Sequence, residues 1–185
     1  MLHDAPVGSE STPEPDPSPT PEVTFISRMS VFNYNKAGDC IHHTWEAAER
    51  NRLYGKNSDG NEFPTGLLFR LCTGGSANSI TTSYLLRSYY TKFEGVFSLE
   101  YRFRTDANVF MLRILGDDVL LHETTTAGVV PEEISLDISG VNVLSMSLSV
   151  NELETSPHAD FAKQVRELRT CPLVFLIIGN ASLHR

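Results

Sequence analysis

Between residues 90 and 150 apolar side chains recur at every second position in run after run, and turn-forming residues separate the runs. That period belongs to a strand with one buried and one wet face, and no helix keeps it. The run VNVLSMSLSV sets Leu144, Met146, Leu148 and Val150 against Ser145, Ser147 and Ser149. Just upstream, EEISLDIS sets Ile134, Leu136 and Ile138 against Glu133, Ser135 and Asp137, and Gly140 permits the turn between the two runs. NVFMLRILGDDVLLHET is apolar on both sides of Gly116-Asp117-Asp118, a tight-hairpin signal. KFEGVFSLEYRF places Phe93, Phe97, Leu99, Tyr101 and Phe103 on one face. The stretch therefore reads as five consecutive strands, a β-meander, in which the ISLDIS and VNVLSMSLSV runs pair or neighbour.

The flanks continue the pattern. Residues 23–32 read as a first strand with Val23, Phe25, Met29 and Phe32 turned inward, and residues 63–72 as a second, with Pro64 and Gly66 where a strand edge tolerates them. Residues 79–86 put Ile80, Thr82 and Tyr84 on one face. Behind Ser156-Pro157, Phe161, Val165 and Leu168 recur at helical spacing, which suits either a short surface helix or a long loop. LVFLIIGNASLHR, apolar on both faces as far as Ile178, is expected in the middle of a sheet. Short strands spaced by Gly, Asn and Asp turns, with almost no helix, predict an all-β fold, an antiparallel β-sandwich.

At 185 residues and 41% apolar, the chain suits one ordinary core plus a tail. Its 23 acidic against 15 basic residues give a net charge of −8, which disfavours nucleic acid and anionic lipid as partners. The longest apolar run, PLVFLIIG, falls far short of the roughly 20 residues of a membrane span. Cys40, Cys72 and Cys171 lack a CxxC spacing, so neither a disulfide framework nor a zinc site is expected. The tail is different in kind: STPEPDPSPTPE alternates proline with acidic and hydroxyl residues and favours extended polyproline II. Residues 1–22 are thus expected to be a flexible linker and residues 23–185 the folded domain. No secretion-signal pattern opens the chain, yet such a spacer suits an extracellular or cell-surface module whose signal or anchor lies upstream, next to an appended or neighbouring domain.

In order, KNSDGNEFPTGLLF, SITTSYLLRSYYTKFEGVFSLEY, VFMLRILGDDVLLHE, GVVPEEISLDISGVNVLSMSLS and LVFLIIGNASLHR resemble the strands of the NPCBM family of carbohydrate-binding modules. The hairpin and the ISLDISGVNVLSMSLS pair carry the likeness most specifically. The resemblance implies a galactose-binding-like jelly roll, related in architecture to discoidin domains and found with enzymes that act on glycans. It brings no sugar-contact residues with it.

Sugar recognition wants an aromatic plate against the apolar side of a pyranose and a few polar groups that fork onto its hydroxyls. The stretch DCIHHTWEAAERNRLYGKNSDGN holds that mixture in His42, His43, Trp45, Glu46, Arg52, Tyr54, Asn57 and Asp59, expected in loops at one end of the sandwich. Trp45 and Tyr54 could equally fold under the loop as core lids, and the residues leave both readings open. Residues 55–66 imitate a calcium loop at Asn57, Asp59 and Gly60, but glycines stand at both ends where carboxylates belong, which excludes an EF-hand. A structural calcium held by loop carbonyls is the one cofactor left open. His42 and His43 have no third ligand at a suitable spacing and are expected at the surface. Gly116-Asp117-Asp118 is a turn, and no nucleophile elbow, HExxH or phosphate-cradling glycine loop occurs. The expected function is a non-catalytic module that binds glycans weakly, with a protein-interaction sandwich lacking a sugar site as the alternative.

Overall fold

The computed structural model describes residues 22–37, 41–46, 56–72, 79–103, 109–126, 130–151 and 173–185. The tail up to residue 21, the predicted helix and both Cys40 and Cys171 lie outside them. Among the described residues eleven strands run β1 (Val23–Phe25), β2 (Asn33–Ala37), β3 (Ile41–Glu46), β4 (Thr65–Cys72), β5 (Ser79–Leu85), β6 (Lys92–Leu99), β7 (Val109–Gly116), β8 (Val119–Thr126), β9 (Glu132–Asp137), β10 (Val143–Asn151) and β11 (Leu173–His184). They form two antiparallel sheets, one of order β3-β4-β11-β6-β9 with β1 added against the end of β11, the other of order β2-β5-β10-β7-β8. The fold is an antiparallel β-sandwich, as the strand pattern predicts.

The core lies where the period-two faces meet. Phe69, Phe93, Phe97 and Leu176 of the first sheet and Tyr84, Phe110, Leu112, Leu144, Met146 and Leu148 of the second are fully buried in one cluster, with Ile138 among them and Leu136 packed partly buried against it. Tyr101 leaves this face, because a 3-10 turn at Tyr101–Phe103 follows β6 and breaks its alternation, whereas Phe103 still packs partly buried against the cluster. Strand β11 is covered on both sides: Val174, Leu176 and Ile178 face the core, while Ile177 joins Phe63 and Leu68 in a smaller cluster outside the first sheet. That double burial is why a run apolar on both faces sits between β4 and β6.

Two expectations are corrected. Residues 90–150 are not a meander: β6 and β9 pair with each other in the first sheet, whereas β7, β8 and β10 belong to the second. Gly140, at φ +81°, does make the predicted turn, yet β9 and β10 do not pair, since the chain crosses between sheets there. A short turn brings two strand ends together, but either sheet offers the same apolar floor to the strand that follows. The second correction concerns residues 23–32, where only Val23–Phe25 is strand. Ile26 enters the core from a 3-10 turn, and Phe32, expected inward, is 61% exposed.

The β7–β8 connection is the predicted hairpin. Asp117 and Asp118 are its two central residues, both with positive φ (48° and 66°), as type I′ turns require. Gly116 serves packing instead: a Cβ there would come within 2.8 Å of Val141 and 2.9 Å of Leu121.

Candidate functional site

The end of the second sheet where β2 and β10 begin, β5 ends and β7 turns into β8 is tied together by several backbone and side-chain hydrogen bonds. Asn142 O accepts from the amides of Leu86 and Arg87 at 2.7 and 3.1 Å, Val141 O from Ser88 N at 3.0 Å, and Val143 O from Asp117 N at 2.9 Å. Asp117 answers with its side chain, accepting from Asn142 N at 3.0 Å and Val143 N at 2.9 Å. Those two amide donors, Asn142 first, hold the Asp117 pKa below the ordinary aspartate value. A carboxylate depressed in this way supports the fold fully above its unfolded pKa, and the support is lost as pH falls through the lower folded value. A side-chain carboxyl titration followed by NMR should give Asp117 a midpoint below that of an ordinary aspartate. The Asp117→Asn variant should show a flatter dependence of stability on pH below that point, and an unchanged slope would mean the amide contacts contribute nothing.

On the outer face of this end lies a cleft of about 330 Å³, lined by Phe32, Asn33, Ser83, Asp117, Asp118, Val143 and Ser145. Its volume is at the small end of the ligand-site range. Ser83 of β5 and Ser145 of β10 stand opposite in the ladder and share a hydrogen bond of 2.8 Å. One hydroxyl donates to the other, so the pair keeps one O–H to offer a ligand. Phe32 rises at the β2 side, its amide donating to Ser83 O at 2.8 Å. The Asp117-Asp118 turn stands on the β7 side, about 14 Å away by three interstrand spacings. Asn33 Oδ1 accepts from Tyr34 N at 2.9 Å, which leaves its amide NH₂ as a donor. An aromatic ring, two kinds of donor and a carboxylate acceptor thus meet in one concavity.

The predicted site residues are dispersed. His42, His43 and Trp45 belong to β3, an edge strand paired with β4 in the register His42–Phe69, His43–Leu68 and Trp45–Gly66, instead of an end loop. Arg52 and Tyr54 lie outside the described residues. Asn57 is buried: its Oδ1 accepts from the amides of Asp59 and Asn61 at 3.1 and 2.9 Å, closing a tight turn. The turn is fastened to β6 of the first sheet by Ser58 N donating to Ser98 Oγ at 3.0 Å. Asp59 is exposed beside it. Among the described residues no three His, Cys, Asp or Glu side chains gather as a metal site, and no helix is long and apolar enough to cross a membrane.

Sequence reasoning missed Phe32, although a signal was there. Val23, Phe25 and Met29 share one parity and Phe32 has the other, so a single uninterrupted strand could not have buried all four.

No protein-family model matches the chain, and no curated protein matches it. Among solved structures it is similar to the M60 catalytic domain with CBM51-1 and CBM51-2 from Clostridium perfringens ZmpB, at 12% identity and TM-score 0.58; 89% of this chain is covered, which spans only 15% of that one. It is similar to CBM51-2 with the INT domains of the same protein, solved in complex with GlcNAc, at 12% identity and TM-score 0.58, covering 89% of this chain and 32% of that one. The CBM51 from Clostridium perfringens GH95, in complex with methyl-galactose, matches at 14% identity and TM-score 0.58, with 88% of this chain and 99% of that one covered. All three contain a CBM51 domain, and at such identities the likeness establishes a shared β-sandwich.

Proposed function

We propose that the chain is a non-catalytic carbohydrate-binding module of the NPCBM type that holds a glycan in the cleft between Phe32 and the Asp117-Asp118 turn. The observation that carries this reading is Phe32. A ring 61% exposed, tied to the sheet by its own amide and lining a cleft floored by hydroxyls, is a stacking surface already in place. Structural neighbours that are sugar-binding modules support it, as does the strand-by-strand resemblance of the sequence. The acidic proline linker of residues 1–22 suits a module held outside the cell next to a further domain.

One ring and a few solvent-competed hydrogen bonds supply only about −4 to −8 kcal/mol, so a single module binds between about millimolar and micromolar. Calorimetric titration with terminal galactosides and N-acetylhexosamines tests the site. Phe32→Ala should weaken binding about tenfold or more, a loss of roughly 1.4 kcal/mol or more, and leave the melting temperature unchanged because the ring is exposed. Trp45→Ala is the other arm, standing for the predicted group His42, His43, Trp45, Tyr54, Asn57 and Asp59. Loss of binding in that variant with Phe32→Ala unaffected would move the site to β3. No binding to any glycan on a broad array would turn the assignment to a protein-interaction sandwich.

A further inference from the structure

Within the cleft, the two turn residues differ in what they do for the fold. Asp117 is fully engaged, its carboxylate receiving the amides of Asn142 and Val143. The Asp118 carboxylate has no hydrogen-bond or ion-pair partner among the described residues, although it lines the cleft. Its backbone is nevertheless left-handed, at φ +66°. The second central position of a type I′ turn is the one glycine fills best, since a Cβ there is strained. Asp tolerates the conformation when its side chain is rewarded by a local hydrogen bond, and here no such reward is present. A residue that breaks a local rule without structural return is a candidate for function.

The lining adds a charge argument. It contains two carboxylates and no Lys, Arg or His, in a chain of net charge −8. An anionic sugar brought into this concavity would meet uncompensated like charge. Hydroxyls would meet an acceptor, and a carboxylate accepts from hydroxyls more strongly than a neutral oxygen does.

We infer that Asp118 is the specificity residue of the cleft: it accepts hydrogen bonds from the hydroxyls of a neutral glycan and turns away carboxylated and sulfated ones. This rests on the reading of the cleft as a glycan site. The chain keeps a strained aspartate where glycine would be more stable because the glycan needs that carboxylate.

The trade is measurable. Neutral terminal galactosides and N-acetylhexosamines, and their sialylated and sulfated counterparts, are titrated into the chain and into Asp118→Gly and Asp118→Asn, with melts of each protein. The expected results are binding of neutral probes only by the original chain, and about tenfold or weaker binding by Asp118→Gly. Asp118→Gly should also melt a few degrees higher. Asp118→Asn, which keeps an acceptor and loses the charge, should fall between the two for neutral probes and gain binding of anionic ones. Strained geometry without a binding role would raise the melting temperature and leave affinity untouched, which overturns the inference and spares the glycan reading. Equal or better binding of anionic probes by the original chain overturns it in the same way. Binding of no probe at all by the original chain overturns both.

Discussion

Leu144→Ala should destabilise the domain by about 2–5 kcal/mol in urea unfolding, since its side chain is fully buried in the inter-sheet core and the sheets cannot close over the void. Leu144 pairs with Tyr84 on one side and Gly116 on the other, so the cavity opens on the middle strand of the second sheet near its hairpin end, next to a large ring that cannot collapse into it. The neighbouring Ser145 sets the contrast. Outward position alone would make Ser145→Ala silent, but Ser145 is nearly buried and bonded at 2.8 Å to Ser83. Its loss should cost about 1 kcal/mol, the usual net worth of such a bond. Equal costs at the two positions would mean the alternation of β10 has been assigned to the wrong face.

The second large effect lies on the opposite side of the sandwich. Gly179 of β11 lies beneath the Phe63 ring, and a Cβ built on it would fall 2.3–2.5 Å from three ring atoms. Glycine in a strand often marks such a close approach, and here it lets an aromatic lid lie on the backbone of the first sheet. Gly179→Ala should therefore push Phe63 off Ile177 and Leu68 and cost about 1–3 kcal/mol, the usual range for overpacking. The cost should largely vanish when Phe63 is already alanine, which a double-mutant cycle reads directly. The same penalty in both backgrounds would show that Gly179 is needed for the backbone and not for the ring.

Strand existence was legible in the sequence because a strand writes its faces locally. Leu144, Met146 and Leu148 against three serines, or Ile80, Thr82 and Tyr84 at alternate positions, specify a half-buried strand without knowledge of its partners. The hairpin was legible for a similar reason, since a Gly-Asp pair between apolar runs fits few other geometries, although the turn falls on Asp117-Asp118 and leaves Gly116 as the last residue of β7. The central place of β11 could be read because a run apolar on both faces must be covered twice, here by the core and by Phe63 with Leu68.

Pairing was decided by the tertiary structure alone. In a sandwich both sheets present apolar inner faces, so alternation names the buried side of β9 and β10 but not the sheet each joins, and that choice follows from contacts distant in sequence. The site was decided in the same way. Asn57 carries the chemistry of a sugar ligand and spends it on the amides of Asp59 and Asn61, whereas Phe32 carries the chemistry of a core residue and is left outside by the 3-10 turn before it. Residue type determines what a side chain can do. Whether it is free to do so depends on what packs beside it, and for Phe32, Ser83, Ser145 and Asp118 those neighbours come from four separate segments of the chain.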